Sequence, residues 1–203
     1  MNGKTIKKIV ITGGPCAGKT TAMEYIQTYF TKKDYAVIFV PEVATELILS
    51  GIAPWTCKSN LEYQMCQMKL QLAKEEIFMQ GVDALKAEKI IVVCDRGLLD
   101  NRAYMNDEEF QKIQDALDIN EEKMLSAYDA VFHLETVAKD NVEAYTLENN
   151  GARTETVEEA IALDNKIASS WSNHPNLVVI SSHEEVESKL QHIVGEIAAF
   201  LDE

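Results

Sequence analysis

Apolar, β-branched runs recur at residues 6–12, 35–40, 89–94, 129–134 and 176–180, and the stretches between them place apolar residues at helical spacing. Runs of this kind suit strands covered on both faces, so their alternation with helices predicts an α/β fold, a three-layer α/β/α arrangement around a five-stranded parallel sheet. Ala22, Met23, Ile26, Tyr29 and Phe30 trace a first helix. The longest helical stretch runs from about Ser59 to Ala87, with Ser59 and Glu62 as a capping box and Leu61, Met65, Met68 and Leu72 as one apolar stripe. A second capping box, Thr156 with Glu159, opens a helix through Ile161, Ile167 and Trp171 that stops before His174-Pro175. An amphipathic helix from Glu184 to Leu201 closes the core. From about 140 to 156 the pattern turns polar around Asn149-Asn150-Gly151, which predicts a mobile lid.

Between the first strand and the first helix lies Gly13-Gly14-Pro15-Cys16-Ala17-Gly18-Lys19-Thr20, a G-x-x-x-x-G-K-T phosphate loop. A turn that wraps an anion must aim successive backbone N–H groups inward, and glycines at its ends leave the backbone free to do so. Lys19 brings a positive charge to the β- and γ-phosphates, Thr20 offers a hydroxyl to Mg²⁺, and the loop runs through Thr21 into a helix whose positive end points at the same oxygens. The expected ligand is therefore ATP or GTP with Mg²⁺. Cys16 reads either as a small residue in a tight turn or as an oxidisable thiol at a helix N-terminus.

At 203 residues the chain is expected to form one domain, and no uncharged apolar stretch approaches a membrane span in length. Nor does its start read as a secretory signal. A net charge of −14 argues against a general nucleic-acid or anionic-membrane surface. Four scattered cysteines without a C-x-x-C pair fit a reducing, cytoplasmic setting. The first 40 residues nevertheless hold six lysines against Glu24 and Asp34, a basic phosphate end on an acidic body. The oligomeric state is left open.

Carboxylates and arginines gather beside the predicted strand ends. Ile90-Ile91-Val92-Val93-Cys94-Asp95 brings Asp95 to the rim where Mg²⁺ is expected, and Val40-Pro41 brings Glu42 to the same rim. Glu42 is the best positioned candidate for orienting a phosphoryl acceptor and taking its proton, with an exposed glutamate at a helix start as the alternative. Only three arginines occur among nineteen basic residues, Arg96, Arg102 and Arg153, all beside these elements. Arg153 in the polar stretch suits a lid arginine that stabilises transferring charge. Arg96 and Arg102 are candidates for acceptor binding, with anchoring of the strand-end loop as the alternative for Arg96. Gln64 and Gln71 edge the long helix's stripe and either reach a pocket or face solvent. His133 reads as a core histidine, Tyr145 as a base-stacking or ordinary surface tyrosine, and Ser181 and Ser182 as the place for base contacts.

The chain resembles the NadR/translocation-defective-type family of phosphate-loop ATPase domains. The resemblance rests on the loop from Thr12 to Thr21, Val40-Pro41-Glu42-Val43-Ala44-Thr45, Asp95-Arg96-Gly97-Leu98-Leu99-Asp100, His133-Leu134-Glu135-Thr136, Tyr145-Thr146-Leu147-Glu148-Asn149-Asn150 and Ala152-Arg153-Thr154-Glu155. It implies a kinase-like strand order 2-3-1-4-5 and kinship with nicotinamide riboside and nucleoside kinases. By position it implies that Gly13 to Thr20 hold the triphosphate, that Asp95 serves Mg²⁺ and that Arg153 belongs to the lid. A ring motor is not implied. Two functions follow as expectations: a kinase acting on a small molecule such as a nucleoside or related metabolite, or a nucleotide-dependent regulatory switch with little turnover.

Overall fold

The computed structural model describes residues 4–140, 145, 156–183 and 185–202. Five strands, β1 (Thr5–Gly13), β2 (Ala36–Val40), β3 (Lys89–Asp95), β4 (Ala130–Leu134) and β5 (Leu177–Ile180), pair in parallel in the order β2-β3-β1-β4-β5. Parallel neighbours need crossovers, and helices supply them: α1 (Lys19–Thr31), α2 (Val43–Leu49), α3 (Asn60–Asp83), α4 (Asp107–Leu117), α5 (Glu121–Ser126), α6 (Val157–Ser170) and α7 (Val186–Asp202). The expected strand order is the observed one.

The central strand shows why three layers form. Successive residues of a strand point to opposite faces, so Val10 packs into one core with Met68 of α3 and Ile167 of α6. Its neighbours Ile9 and Ile11 enter the other core, with Ala22, Ile26 and Phe30 of α1 and Ile193 and Ile197 of α7. Both faces of the sheet are thus sealed. The register sets Ile11 beside Asp95 and Gly13 beside Leu134, so the carboxyl ends of β1, β3 and β4 form one rim.

Cap chemistry marks most helix starts. Ser59 accepts from the Glu62 N–H, and Thr156 and Glu159 form a reciprocal box at α6. Asn106 and Asn120 cap α4 and α5, two short helices that the sequence reading did not single out. Helix α3 ends at Asp83, four residues short of the expectation. Helix α7 begins at Val186, and Glu184 lies outside the described residues, as does the 140–156 stretch apart from Asp140, Tyr145 and Thr156. Tyr145 corrects the surface reading: it is buried with Ala138 and Ala160.

Candidate functional site

Strand β1 delivers the chain to the rim at Gly13, whose φ of 146° only glycine tolerates easily. A Cβ there would come within 2.1 Å of the Leu134 carbonyl oxygen, so β4 also forbids a side chain. Gly18, at φ 83°, turns the chain into α1 with no side-chain cap, and the first turn of α1 holds no acidic residue. An uncapped positive helix end suits an anion. Lys19 is buried with Nζ 3.4 Å from the Gly13 carbonyl, whereas Thr20 and Thr21 are exposed. Cys16 lies half-buried in the loop at φ 55°.

Distant elements tie the loop down before any ligand binds. The Gly14 N–H donates to Asp164 Oδ1 (2.8 Å), Thr136 Oγ1 donates to the Pro15 carbonyl, and Lys189 Nζ donates to the Ala17 carbonyl (3.3 Å). Arg96 Nη1 donates to the Gly13 carbonyl at 3.1 Å. Asp164 is wholly buried in α6. Burial alone would raise its carboxyl, but His133 Nε2 at 3.2 Å, Lys139 Nζ at 2.7 Å and the Gly14 N–H outweigh that and hold it down to about 2. His133, expected in the core, is there as this carboxylate's neighbour.

A second buried carboxylate organises the opposite wall. Asp100, in the 3-10 turn from Leu98 to Tyr104, accepts from Thr12 Oγ1, the Gly97 N–H (2.9 Å) and Trp171 Nε1 (3.1 Å). Its Oδ1 also lies 3.4 Å from Arg96 Nη1. Gly97 is pressed against Trp171, where a Cβ would meet the ring at 2.6 Å. Arg96 Nε pairs with Glu42, so one guanidinium joins the ends of β2 and β3 to the phosphate loop. This is the anchoring geometry.

Glu42 caps nothing with its side chain; it accepts from Thr45 Oγ1 (2.5 Å) and Arg96. Burial pushes its carboxyl up, yet Arg96, Lys19 and the Thr45 hydroxyl bring it down to about 2. It is ionised at neutral pH. Asp95 differs: burial raises its carboxyl above the ordinary value, with Lys19 pulling it down and Glu42 adding to the rise. Its Oδ1 is buried without a hydrogen-bond partner. An anionic oxygen held out of water without a donor fits a cation, and Mg²⁺ satisfied mainly by phosphate and water needs few protein ligands. Among the described residues no cluster of three or more His, Cys, Asp or Glu could hold a metal ion.

Beside the loop a cavity of about 480 Å³ opens between α2, α3 and the end of β3, within the range of small-molecule sites. Pro15, Glu42, Gln64, Gln71, Asp95 and Arg96 all line it. Gln64 and Gln71 are buried rather than solvent-facing. Arg102 is not brought to the cavity: the 3-10 turn carries it toward α5, where it pairs with Glu121 (2.9 Å) and Asp107 (3.5 Å) and lies over Phe110. Arg153 lies outside the described residues. Ser182 donates to Asp140 beside β5.

Asp164 and Lys189 were not singled out from sequence, and Asp100 and Thr136 appeared there only within the blocks that carry the resemblance, with no role assigned. For Asp164 a signal existed, since Ala160, Asp164 and Ile167 share the buried face of α6, and a carboxylate at core spacing demands partners.

A glycine-bounded loop at the head of a helix, a lysine within it and a strand-end carboxylate define a P-loop nucleotide-binding protein that takes nucleotide with Mg²⁺. The chain belongs to the AAA domain family, whose profile matches residues 8–189. No curated protein matches it. Among the described residues no helix is long and apolar enough to cross a membrane.

Proposed function

We propose that this protein is a kinase of one domain with a lid near 140–156, acting in a reducing cytoplasm, that moves the γ-phosphoryl group of ATP or GTP to a small molecule such as a nucleoside or related metabolite. The observation that carries this reading is the cavity of about 480 Å³ next to Pro15, walled by Glu42, Gln64 and Arg96. A switch that only binds and releases nucleotide has no need of a second cavity of small-molecule size beside the phosphates. The kinship with nicotinamide riboside and nucleoside kinases belongs to this proposal.

Each residue then has a task. The backbone of Gly13 to Thr20 cradles the triphosphate, and Lys19 with Arg153 neutralises charge on the transferring group. Thr20 and Asp95 would hold Mg²⁺, which would supply positive charge to offset that of the phosphates. Glu42, ionised and fixed by Arg96 and Thr45, accepts the acceptor's hydroxyl and aims its oxygen at the γ-phosphorus. A carboxylate held at about 2 is a weak base, so its work is orientation; a loose phosphoryl transition state needs little proton removal before the bond to the leaving group breaks.

The experiment incubates the full chain with Mg²⁺, labelled ATP or GTP and a panel of nucleosides and related ring compounds. A labelled phosphorylated product is expected for some members. Slow hydrolysis alone, with every acceptor unlabelled, refutes the kinase reading.

A further inference from the structure

The two most exposed large apolar side chains among the described residues are Leu49, at 83%, and Trp55, at 70%, and both line the cavity beside the phosphate loop. Single apolar side chains on a surface are ordinary. These two share one cavity, with Tyr104 as a third exposed member of its lining and Ile52 exposed in the same loop. A gathering of that kind marks a surface that something covers.

The backbone fixes them where they are. Val43 and Leu47, one turn apart on α2, pack with Tyr63 of α3, and Leu49 falls off that inward face. The loop that follows is closed on itself. Thr56 Oγ1 donates to the Gly51 carbonyl (2.9 Å) and accepts from the Ala53 N–H (2.8 Å), while the Ile52 N–H returns to the Leu47 carbonyl (2.9 Å). Ala53 is buried, so a tied and anchored turn displays Trp55.

Polarity divides the lining by element. Glu42, Asp95 and Arg96, at the ends of β2 and β3, supply charge and stand in the lining with Pro15 of the phosphate loop. From Val43 to Trp55 no lining residue is charged, and the one polar member, Thr45, already gives its hydroxyl to Glu42. One part of the cavity thus suits a hydroxyl next to phosphate, and the other suits hydrocarbon.

We infer that the phosphoryl acceptor is amphiphilic: it presents a hydroxyl to Glu42 and carries an apolar group that covers Leu49 and Trp55. The inference rests on the kinase reading and deepens it, because it names the class of acceptor. A wholly polar acceptor at the charged end leaves both side chains in water. An apolar extension removes their surface and its own from water together, which makes Leu49 and Trp55 the residues that select the substituted compound.

The test uses matched pairs that differ by one apolar group: adenosine against N6-benzyladenosine, cytidine against N4-benzylcytidine, and glycerol against its 1-O-hexyl ether. Calorimetry on the full chain with Mg²⁺ and a nonhydrolysable ATP analogue is expected to show the substituted member of at least one pair binding about tenfold tighter or more. Trp55 is the exposed one of two tryptophans, Trp171 being wholly buried, so fluorescence should shift to shorter wavelength as that compound binds. In Leu49→Ser and in Trp55→Ser the ratio within the pair falls to about twofold or less, while affinity for the ATP analogue and the melting temperature stay near wild type. No gain in any pair, or a gain that survives both substitutions, overturns the inference. So does a Trp55 shift produced by phosphatidylcholine vesicles alone, which assigns the surface to lipid, or a dimer in sedimentation that Trp55→Ser dissociates, which assigns it to a second copy. Labelled transfer onto the unsubstituted compounds with no gain from the apolar group defeats the inference and leaves the kinase reading intact; no binding and no transfer in any pair defeats both.

Discussion

Replacing Asp164 with alanine tests how the phosphate loop is held. The carboxylate is wholly buried and accepts from two backbone donors, Gly14 N–H at 2.8 Å and Thr136 N–H at 3.3 Å, while meeting His133 and Lys139. Alanine leaves both amides without that acceptor, at about 1–3 kcal/mol for each buried group left unsatisfied, less whatever relaxation recovers. Lys139 keeps Glu135 at 2.8 Å and part of its solvent, so its share is small. The expected loss is about 3–4 kcal/mol, within the range for breaking a buried charged cluster. Asp164→Asn keeps an oxygen for Gly14 and loses the charge, so about half that loss is expected. The sign with pH follows from a folded value of about 2, below the ordinary aspartate value. The ionised carboxylate contributes about 2 kcal/mol above roughly pH 5, about half of it remains at pH 3, and the rest disappears as pH falls through the folded value. The difference between wild type and Asp164→Ala in urea melts should therefore narrow by about 1 kcal/mol from pH 7 to pH 3. Titration with Mg²⁺ and an ATP analogue should show weaker binding in Asp164→Ala than in Asp164→Asn, because only the former frees Gly14. A loss below about 1 kcal/mol, or a difference that ignores pH over this range, refutes the account.

Gly13→Ala places a methyl 2.1 Å from a main-chain oxygen of β4, which cannot swing away, and is expected to cost about 3 kcal/mol or more and to abolish nucleotide binding, measured by melting and calorimetry. Lys19→Ala should weaken binding of Mg²⁺ and triphosphate about 10- to 100-fold; wild-type affinity in that variant contradicts the role given to Lys19. Asp95→Asn has a two-sided outcome. Because burial raises the Asp95 carboxyl, its ionisation costs stability progressively as pH rises from the ordinary aspartate value through its folded value and in full above that, so the variant without nucleotide should melt higher at pH 7 than wild type. Its gain in melting temperature on adding Mg²⁺ and nucleotide should be smaller, and an unchanged gain counts against cation binding there.

The five apolar runs, the helices between them and the phosphate loop were legible because each depends on contiguous residues. Strand burial shows as an unbroken apolar run, and an anion cradle shows as glycines at fixed offsets in one turn. The same local reading did not single out α4 and α5, although Phe110, Ile113 and Leu117 lie at helical spacing behind the Asn106 cap, and it left Gln64 and Gln71 suspended between pocket and solvent. Those glutamines sit beside the apolar stripe of α3, and only the packing of the residues around Asn101 against them shows that the whole edge is buried.

The sequence by itself determined a parallel α/β sheet with a phosphate-binding turn at its first strand end, since backbone conformation and burial follow from near neighbours. Tertiary structure alone decided the electrostatics of the site. Arg96 meets Glu42 across 54 residues, and Asp164 reaches Gly14 across 150. Spacing along the chain encodes no such pairing; it arises where packed elements exclude water, and the resulting balance of desolvation and attraction leaves Glu42 and Asp164 firmly ionised while the Asp95 carboxyl stays above its ordinary value.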